Sequence, residues 1–240
     1  MQAAPWLYRD GELEFQGELY RPTTLPNGGS VLVVHEADGI GGNVRRHCER
    51  LAGLGYLAAA ADIHGGGRVL EGEEMQRAIQ HFQNNPMLLR RRVGVAVEAL
   101  CKLEGVAADC IAAIGFCFGG MAVLELARSG ARLNAVASFH GILATQAPAA
   151  RDAIRARVLA ATGARDPLVP AEQVATFQHE MSAAGADWHL LVHGQALHSY
   201  TNRDVAKLGD ARMAYDPDAH HLSWTMLVNF LAVSLQRQST

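Results

Sequence analysis

Residues 110–123, "CIAAIGFCFGGMAV", place one cysteine among glycines where one apolar run ends and another begins. The run over 110–115 is typical of a strand buried on both faces, and 118–130 has the pattern of a helix. Only a tight turn can join them, and Cys117 lies on that turn. A cysteine on a strand-to-helix turn is typical of a nucleophile whose side chain is held exposed in strained backbone geometry.

The glycines beside Cys117 support this interpretation. Gly115 and Gly119 lie two positions on either side, where larger side chains would collide, and Gly120 lets the helix approach the strand closely. The helix N-terminus would direct its free N–H groups at the thiol, favouring thiolate and a developing oxyanion. The alternative is a buried cysteine that packs as a small hydrophobe beside a glycine turn.

Outward from this turn, the chain alternates strands with helices. Strands are predicted at 31–36, 56–63, 110–115, 134–140, 157–162 and 188–193, after two short strands around an Asp10–Gly11 turn. Helices are predicted from an Asn43 N-cap to Gly55, over 75–104 with a break near Asn85–Pro86, and over 118–130, 171–184 and 221–237. This alternation predicts an α/β fold: a mostly parallel, twisted sheet with helices on both faces. Right-handed crossovers bring the strand ends to one edge, where ligands bind.

Composition sets the class of protein. The 240 residues are 49% hydrophobic and 19% charged, with a net charge of −3, and no repeat or linker divides them, so we predict one domain over 1–240. The absence of a basic excess argues against nucleic-acid and membrane partners. Four cysteines without a CxxC pair or zinc-like spacing, and no secretory signal or membrane span, predict a cytoplasmic protein without a metal site.

A cysteine nucleophile needs a base, and the base needs an orienting group. On this fold they follow in the order nucleophile, acid, histidine. Asp166 comes after the 157–162 strand, and His198 comes after the 188–193 strand. Asp166 could instead be a turn former before Pro167, and His198 is one of 11 histidines. Order and position together favour Cys117, Asp166 and His198 as catalytic residues.

Two further positions follow strands of the predicted sheet. Glu36 ends the 31–36 strand, where it is either a surface acid or a group that holds the thiol proton. This loop supplies the second oxyanion-hole N–H in such folds, so Ala37 and Phe118 are the candidates. His140 ends the 134–140 strand and either lines the site or is a satisfied core histidine.

Four stretches carry a family resemblance: "HEADGIGG" (35–42), "IGFCFGGMA" (114–122), "GARDPLVP" (163–170) and "LHSYTN" (197–202). They resemble the signature stretches of the dienelactone hydrolase family, in the family's order. The resemblance implies an α/β-hydrolase fold with no separate lid domain and a Cys-Asp-His triad. It also implies a glutamate, here Glu36, that helps to activate the cysteine.

The family's prototype hydrolyses a cyclic enol-lactone carboxylate, which it clamps with arginines. One clamp lies four residues past the histidine, where this chain has Asn202 followed by Arg203; for the other, Arg68 and Arg77 are candidates. The residues expected to bind substrate are Arg203, Asn202, Tyr200 and His140.

The sequence thus predicts a cofactor-free hydrolase of carboxylic esters or lactones that forms an acyl-thioester on Cys117. The expected partner is a small-molecule substrate, and the protein is expected to be a monomer or homodimer. The alternative is a non-catalytic or redox-responsive protein of the same fold with a reactive Cys117.

Overall fold

The computed structural model describes residues 3–236, which form eight strands, six α-helices and a short 3-10 helix at Val205–Leu208. The strands are β1 (Ala4–Asp10), β2 (Leu13–Tyr20), β3 (Ser30–Val34), β4 (Leu57–Ala61), β5 (Ile111–Phe116), β6 (Ala135–Phe139), β7 (Arg157–Gly163) and β8 (Trp188–His193). The helices are α1 (Gly42–Gly53), α2 (Gly72–Asn84), α3 (Pro86–Cys101), α4 (Phe118–Arg128), α5 (Ala171–Ala183) and α6 (Pro217–Ser234).

All eight strands join one sheet in the order β1-β2-β4-β3-β5-β6-β7-β8. The six strands β4, β3, β5, β6, β7 and β8 pair in parallel with their neighbours. Strands β1 and β2 form an antiparallel hairpin, and β2 also pairs antiparallel with β4. This confirms the predicted mostly parallel sheet and places the strand that precedes Cys117 near its centre.

Helices cover both faces of the sheet. Along β3, Leu32 and Val34 pack into the core beneath α2 to α5, while Val31 and Val33 pack beneath α1 and α6. Every residue of β3 is buried, as expected for a strand covered on both sides. No helix among residues 3–236 is long and apolar enough to cross a bilayer.

Several helix boundaries differ from the sequence prediction by one to four residues, and two of them concern capping residues. The N-cap of α1 is Gly41, and Asn43 lies inside the helix with its side chain buried. The last helix begins at Pro217, before the predicted 221, because Asp216 caps it by accepting hydrogen bonds from the N–H groups of Asp218 and Ala219. The predicted end at residue 237 lies outside the described residues.

Parallel pairing aligns the carboxyl ends of the strands at one edge of the sheet. Glu36 follows β3, Cys117 follows β5, His140 follows β6, Asp166 follows β7 and His198 follows β8. Five chemically capable side chains that lie far apart in sequence therefore collect at the same edge, where ligands of open α/β sheets bind.

Candidate active site

Cys117 occupies a strained turn between β5 and α4. Its backbone has φ 53° and ψ −114°, in the left-handed half of conformational space that side chains rarely adopt. It is the N-cap of α4, so the first N–H groups of that helix lie beside its thiol. The side chain is partly exposed, whereas Phe116 and Phe118 on either side are buried.

Close backbone contacts explain the glycines around this turn. A Cβ atom on Gly115 would lie 2.0 Å from the carbonyl oxygen of Gly119, and one on Gly119 would lie 2.2 Å from that of Val34. A Cβ on Gly120 would lie 2.7 Å from Ser138 Oγ. Side chains at the first two positions would collide with backbone, so the turn itself demands glycine there.

The thiol, an imidazole and a carboxylate lie in line. His198 Nε2 is 3.1 Å from Cys117 Sγ, and His198 Nδ1 is 2.7 Å from Asp166 Oδ2. The other carboxylate oxygen of Asp166 accepts the N–H of Leu168 at 2.8 Å. The side chains of His198 and Asp166 are both fully buried, so their geometry is fixed by packing as well as by hydrogen bonds.

The groups on either side of His198 favour the protonated form of its imidazole ring. Burial of the His198 ring opposes its protonation, but the neighbouring Cys117 and Asp166 outweigh burial and raise the pKa of His198 to about 10. Both ring nitrogens then carry protons, one donated to Asp166 and the other to the sulfur. The arrangement therefore favours a proton on His198, between the carboxyl group of Asp166 and the sulfur of Cys117.

Glu36 lies in the same cavity, in surroundings that favour its neutral carboxyl form. Burial, reinforced by the charge of Asp38, raises its pKa to about 8, although His198 and Asn43 act in the opposite direction. Glu36 Oε2 accepts a hydrogen bond from Asn202 Nδ2 at 2.8 Å, while Oε1 is buried without a partner among the described residues. The hydrogen-bond partner of Glu36 is thus the amide of Asn202, whereas the hydrogen-bond partner of the Cys117 sulfur is His198.

Two residues expected to bind substrate lie behind the turn and away from the cavity. His140 and Tyr200 are completely buried. His140 Nδ1 accepts the N–H of Cys117 at 3.1 Å, and Nε2 donates to Thr201 Oγ1 at 2.8 Å. The Tyr200 hydroxyl is 3.0 Å from Ser223 Oγ. Because their polar atoms bond inward, this placement does not support a contact of either side chain with substrate.

A cavity of about 430 Å³ opens over the sulfur. Cys117, His198 and Glu36 line it together with Ala37 and Phe118, the two residues expected to supply oxyanion-hole N–H groups. Phe118 is the first residue of α4, so its N–H has no partner within the helix. The cavity volume lies within the range of small-molecule sites.

The family model of the dienelactone hydrolase family matches residues 15–235. The chain belongs to this family. Among curated relatives, a Yersinia pestis protein named provisionally as a carboxymethylenebutenolidase is 28% identical, over 81% of this chain and 76% of its own length. This dienelactone hydrolase family member is therefore an enzyme, a hydrolase of the ester and lactone class, and the family predicted from the sequence is confirmed.

Solved structures extend the likeness across the chain. A dienelactone hydrolase-like promiscuous phosphotriesterase, P91 from metagenomic libraries, has a TM-score of 0.92 at 35% identity, covering 98% of this chain and 99% of that protein. A dienelactone hydrolase from Anabaena variabilis has a TM-score of 0.70 at 20% identity, with coverage of 98% and 99%. These likenesses confirm the predicted α/β-hydrolase fold.

The arginines of this dienelactone hydrolase family member that were expected to clamp the substrate do not line the cavity over Cys117. Arg203 lines a separate pocket of about 180 Å³ with Arg50 and His220, and its guanidinium lies 5.9 Å from the Tyr215 ring centroid. Its neighbour Asn202 does line the cavity, but its amide is engaged by Glu36. The placement therefore gives no support to Arg203 as a substrate clamp.

The two other clamp candidates are also paired elsewhere. Arg68 forms an ion pair with Glu74, and Arg77 forms one with Glu73. All four side chains are at least half exposed, and none of them lines the cavity over Cys117.

Several cavity residues of the enzyme carried no recognisable signal in the sequence. Asn43, on α1, acts to lower the pKa of Glu36, and Met75 and Ile79 form a wall from α2. Asp210 and Arg212 come from the long loop before α6. The helical spacing of Met75 and Ile79 predicts only that they share a buried face of the helix. Such a face normally packs against the protein core, so the spacing did not identify these residues as part of a ligand-binding cavity. Within residues 3–236, no cluster of three or more His, Cys, Asp or Glu is arranged to hold a metal.

Proposed function

We propose that this enzyme hydrolyses carboxylic esters or lactones with a Cys117-His198-Asp166 triad through an acyl-thioester. The observation that carries the proposal is the line of hydrogen bonds, 2.7 Å and 3.1 Å long, that joins Asp166 to His198 and His198 to the Cys117 sulfur beneath the cavity. A nucleophile, a base and an orienting group within hydrogen-bond distance form a complete set for covalent catalysis.

The first half-reaction begins with the thiolate of Cys117. Its sulfur attacks the carbonyl carbon of the substrate. The carbonyl oxygen becomes an oxyanion, which accepts hydrogen bonds from the backbone N–H groups of Phe118 and Ala37. When the tetrahedral intermediate collapses, the bond to the leaving oxygen breaks. His198 donates its Nε2 proton to that oxygen, so the alcohol departs neutral and the acyl group remains on sulfur.

The second half-reaction restores the enzyme. His198, now neutral, takes a proton from water as the oxygen of that water attacks the thioester carbonyl carbon. Collapse of this second intermediate breaks the carbon–sulfur bond, which releases the carboxylic acid and returns the thiolate beside a protonated His198. Asp166 accepts a hydrogen bond from the Nδ1–H group of His198 throughout, which keeps the ring oriented and stabilises its charge. For a lactone, the departing alcohol stays attached to the acyl chain.

The proposal is tested with p-nitrophenyl acetate. Wild-type enzyme should give a burst of p-nitrophenol and an increase in mass of one acetyl group on the peptide that contains Cys117. Cys117→Ala should lose both, with an unchanged circular dichroism spectrum, whereas Cys101→Ala, which replaces a partly buried cysteine outside the cavity, should behave as wild type. Retained turnover in Cys117→Ala would overturn the triad. Oxidation of Cys117 to a sulfenic acid without any burst would favour the redox-responsive alternative.

A second candidate reaction is hydrolysis of uncharged phosphotriesters. It is supported by 35% identity with the promiscuous phosphotriesterase and by the apolar residues, such as Met121 and Ile142, that line the cavity. Diethyl p-nitrophenyl phosphate should release p-nitrophenol in wild type and not in Cys117→Ala. Turnover that survives the substitution would rule out Cys117 as the nucleophile for phosphorus.

A further inference from the structure

The inner wall of the cavity over Cys117 is made of apolar side chains. Two come from one face of α2, one turn apart, one comes from α4, and the others come from loops at the same edge of the sheet. They are Met75, Ile79, Met121, Ile142, Leu168 and Met213. These six are all buried or half-buried, so they form the part of the cavity where a bound group loses its water.

The cationic side chains that line the cavity are each neutralised by a carboxylate. Lys207 Nζ is 2.8 Å from Asp204, and Arg212 makes a bidentate pair with Asp210 whose shortest distance is 2.6 Å. Both cations are more than half exposed, so they lie at the solvent rim of the cavity. Apart from His198, which is buried and paired with Asp166, the positive charges that line the cavity are thus both paired and exposed to solvent.

Two acidic side chains in the cavity, Glu36 and Asp38, are buried or half-buried. Glu36 and Asp38 line the cavity, and burial raises the pKa of both carboxyl groups. A substrate carboxylate in this cavity would lie against the apolar wall, and each cationic side chain among the described lining residues is already paired with a carboxylate. Loss of water without a compensating partner is costly for an anion.

We propose that this enzyme selects esters and lactones whose acyl group is uncharged and apolar, and that it discriminates against substrates that carry a carboxylate there. This inference rests on the proposed function, since it concerns the acyl group that Cys117 receives. The α2 wall of Met75 and Ile79 is the specificity-determining element, and the acyl chain packs against it.

Three substrates with one leaving group test the proposal: p-nitrophenyl hexanoate, methyl p-nitrophenyl adipate and mono-p-nitrophenyl adipate. The last two differ in a methyl group and a charge. Both neutral esters should have a kcat/KM about 30-fold or more above that of the anion after subtraction of the uncatalysed rate. Equal turnover of the adipate pair, or faster turnover of the anion, would overturn the proposal.

Ile79→Lys tests the wall directly, because it adds a cation where the acyl chain is expected to lie. Preference for the neutral adipate should shrink about tenfold or reverse. Gln80→Lys is the matched control: it adds the same charge to the adjacent exposed position of α2, outside the cavity, and should leave the preference unchanged. If the preference changes equally in both variants, the effect comes from net charge, and the proposal that the acyl chain packs against the α2 wall is wrong.

A second pair of variants frees existing arginines. Asp210→Asn removes the partner of Arg212 at the cavity rim, and Asp10→Asn removes the partner of Arg91 on the surface. Only the first should improve turnover of the anionic adipate, by about threefold or more. If Cys117→Ala remains active on the neutral esters, the proposed triad is wrong. If Cys117→Ala is inactive but the wild-type enzyme hydrolyses the anionic and neutral adipates equally well, only the substrate inference is wrong.

Discussion

His140 accepts a hydrogen bond from the backbone N–H of Cys117, with 3.1 Å between Nδ1 and the amide nitrogen. The same N–H is also 3.0 Å from the carbonyl oxygen of Phe139. An acceptor at Nδ1 requires the proton to be on Nε2, which donates to Thr201. Burial of the ring, together with the charge of His198, holds the pKa of His140 well below its usual range, so the ring stays in this single tautomer.

His140 should therefore act as a positioning residue for the nucleophile turn, which is itself strained. His140→Asn retains an acceptor near the Nδ1 position, and His140→Gln retains a donor near Nε2. We expect kcat to fall about tenfold in His140→Gln, with KM unchanged, and to fall less than about threefold in His140→Asn. Steady-state kinetics on p-nitrophenyl acetate measure both constants. An increase in KM alone would instead indicate the direct substrate contact predicted from the sequence.

Asp166→Asn should lower kcat by about 10³-fold or more, because a neutral amide neither stabilises protonated His198 nor holds the required tautomer. The rate of Cys117 alkylation by iodoacetamide should fall in parallel, since less thiolate is present. Asp187→Asn, which removes a surface acid paired with Arg157, is the control and should be silent in both assays. Unchanged alkylation with reduced kcat would separate the aspartate from thiolate formation.

Glu36 makes the stability of the enzyme depend on pH. Its pKa is raised from an ordinary 4.5 to about 8 in the folded state, so the unfolded chain loses this proton first. The contribution of Glu36 to stability is complete below pH 4.5 and is lost as pH rises through 8. Glu36→Gln should thus match wild type near pH 4.5 and become more stable by a few kcal/mol, on the order of 3–5, near pH 9.

Urea unfolding at pH 4.5, 7 and 9 measures this difference, with Glu12→Gln at an exposed turn position as the control. A constant difference across pH would show that Glu36 ionises normally. Activity of Glu36→Gln at pH 7 adds a separate result. Because a neutral carboxyl is replaced by a neutral amide, a loss of kcat would come from the proton that Glu36 alone can exchange.

Arg203→Ala should change the turnover of anionic and neutral esters by the same factor, within about twofold, because Arg203 lies over Tyr215 in a separate pocket. The measurement compares kcat/KM for mono-p-nitrophenyl adipate and its methyl ester in wild type and variant. A selective loss for the anion would restore Arg203 to the substrate clamp expected from its place after Asn202.

The sequence by itself determined that the sheet is mostly parallel, the order of strands and helices along the chain, and the turn that carries Cys117. These features depend on local patterns: apolar runs of strand length, glycines where backbone crowds backbone, and polar residues placed after strands. The positions of Cys117, Asp166, His198 and Glu36 could be predicted because parallel strands bring their carboxyl ends to one edge, whatever the loops do.

Only the tertiary structure decided which polar side chains face the cavity. Arg203 and Asn202 are adjacent in sequence, yet one lies in another pocket and the other binds Glu36. His140 ends a strand at the correct edge but bonds inward to the turn. The α2 wall lies in a predicted helix, but no local pattern specifies what the buried face of that helix contacts, and the Asp210–Arg212 pair comes from an irregular loop. The reason is physical: backbone periodicity fixes elements, whereas side-chain direction in irregular segments depends on contacts between residues that are distant in sequence.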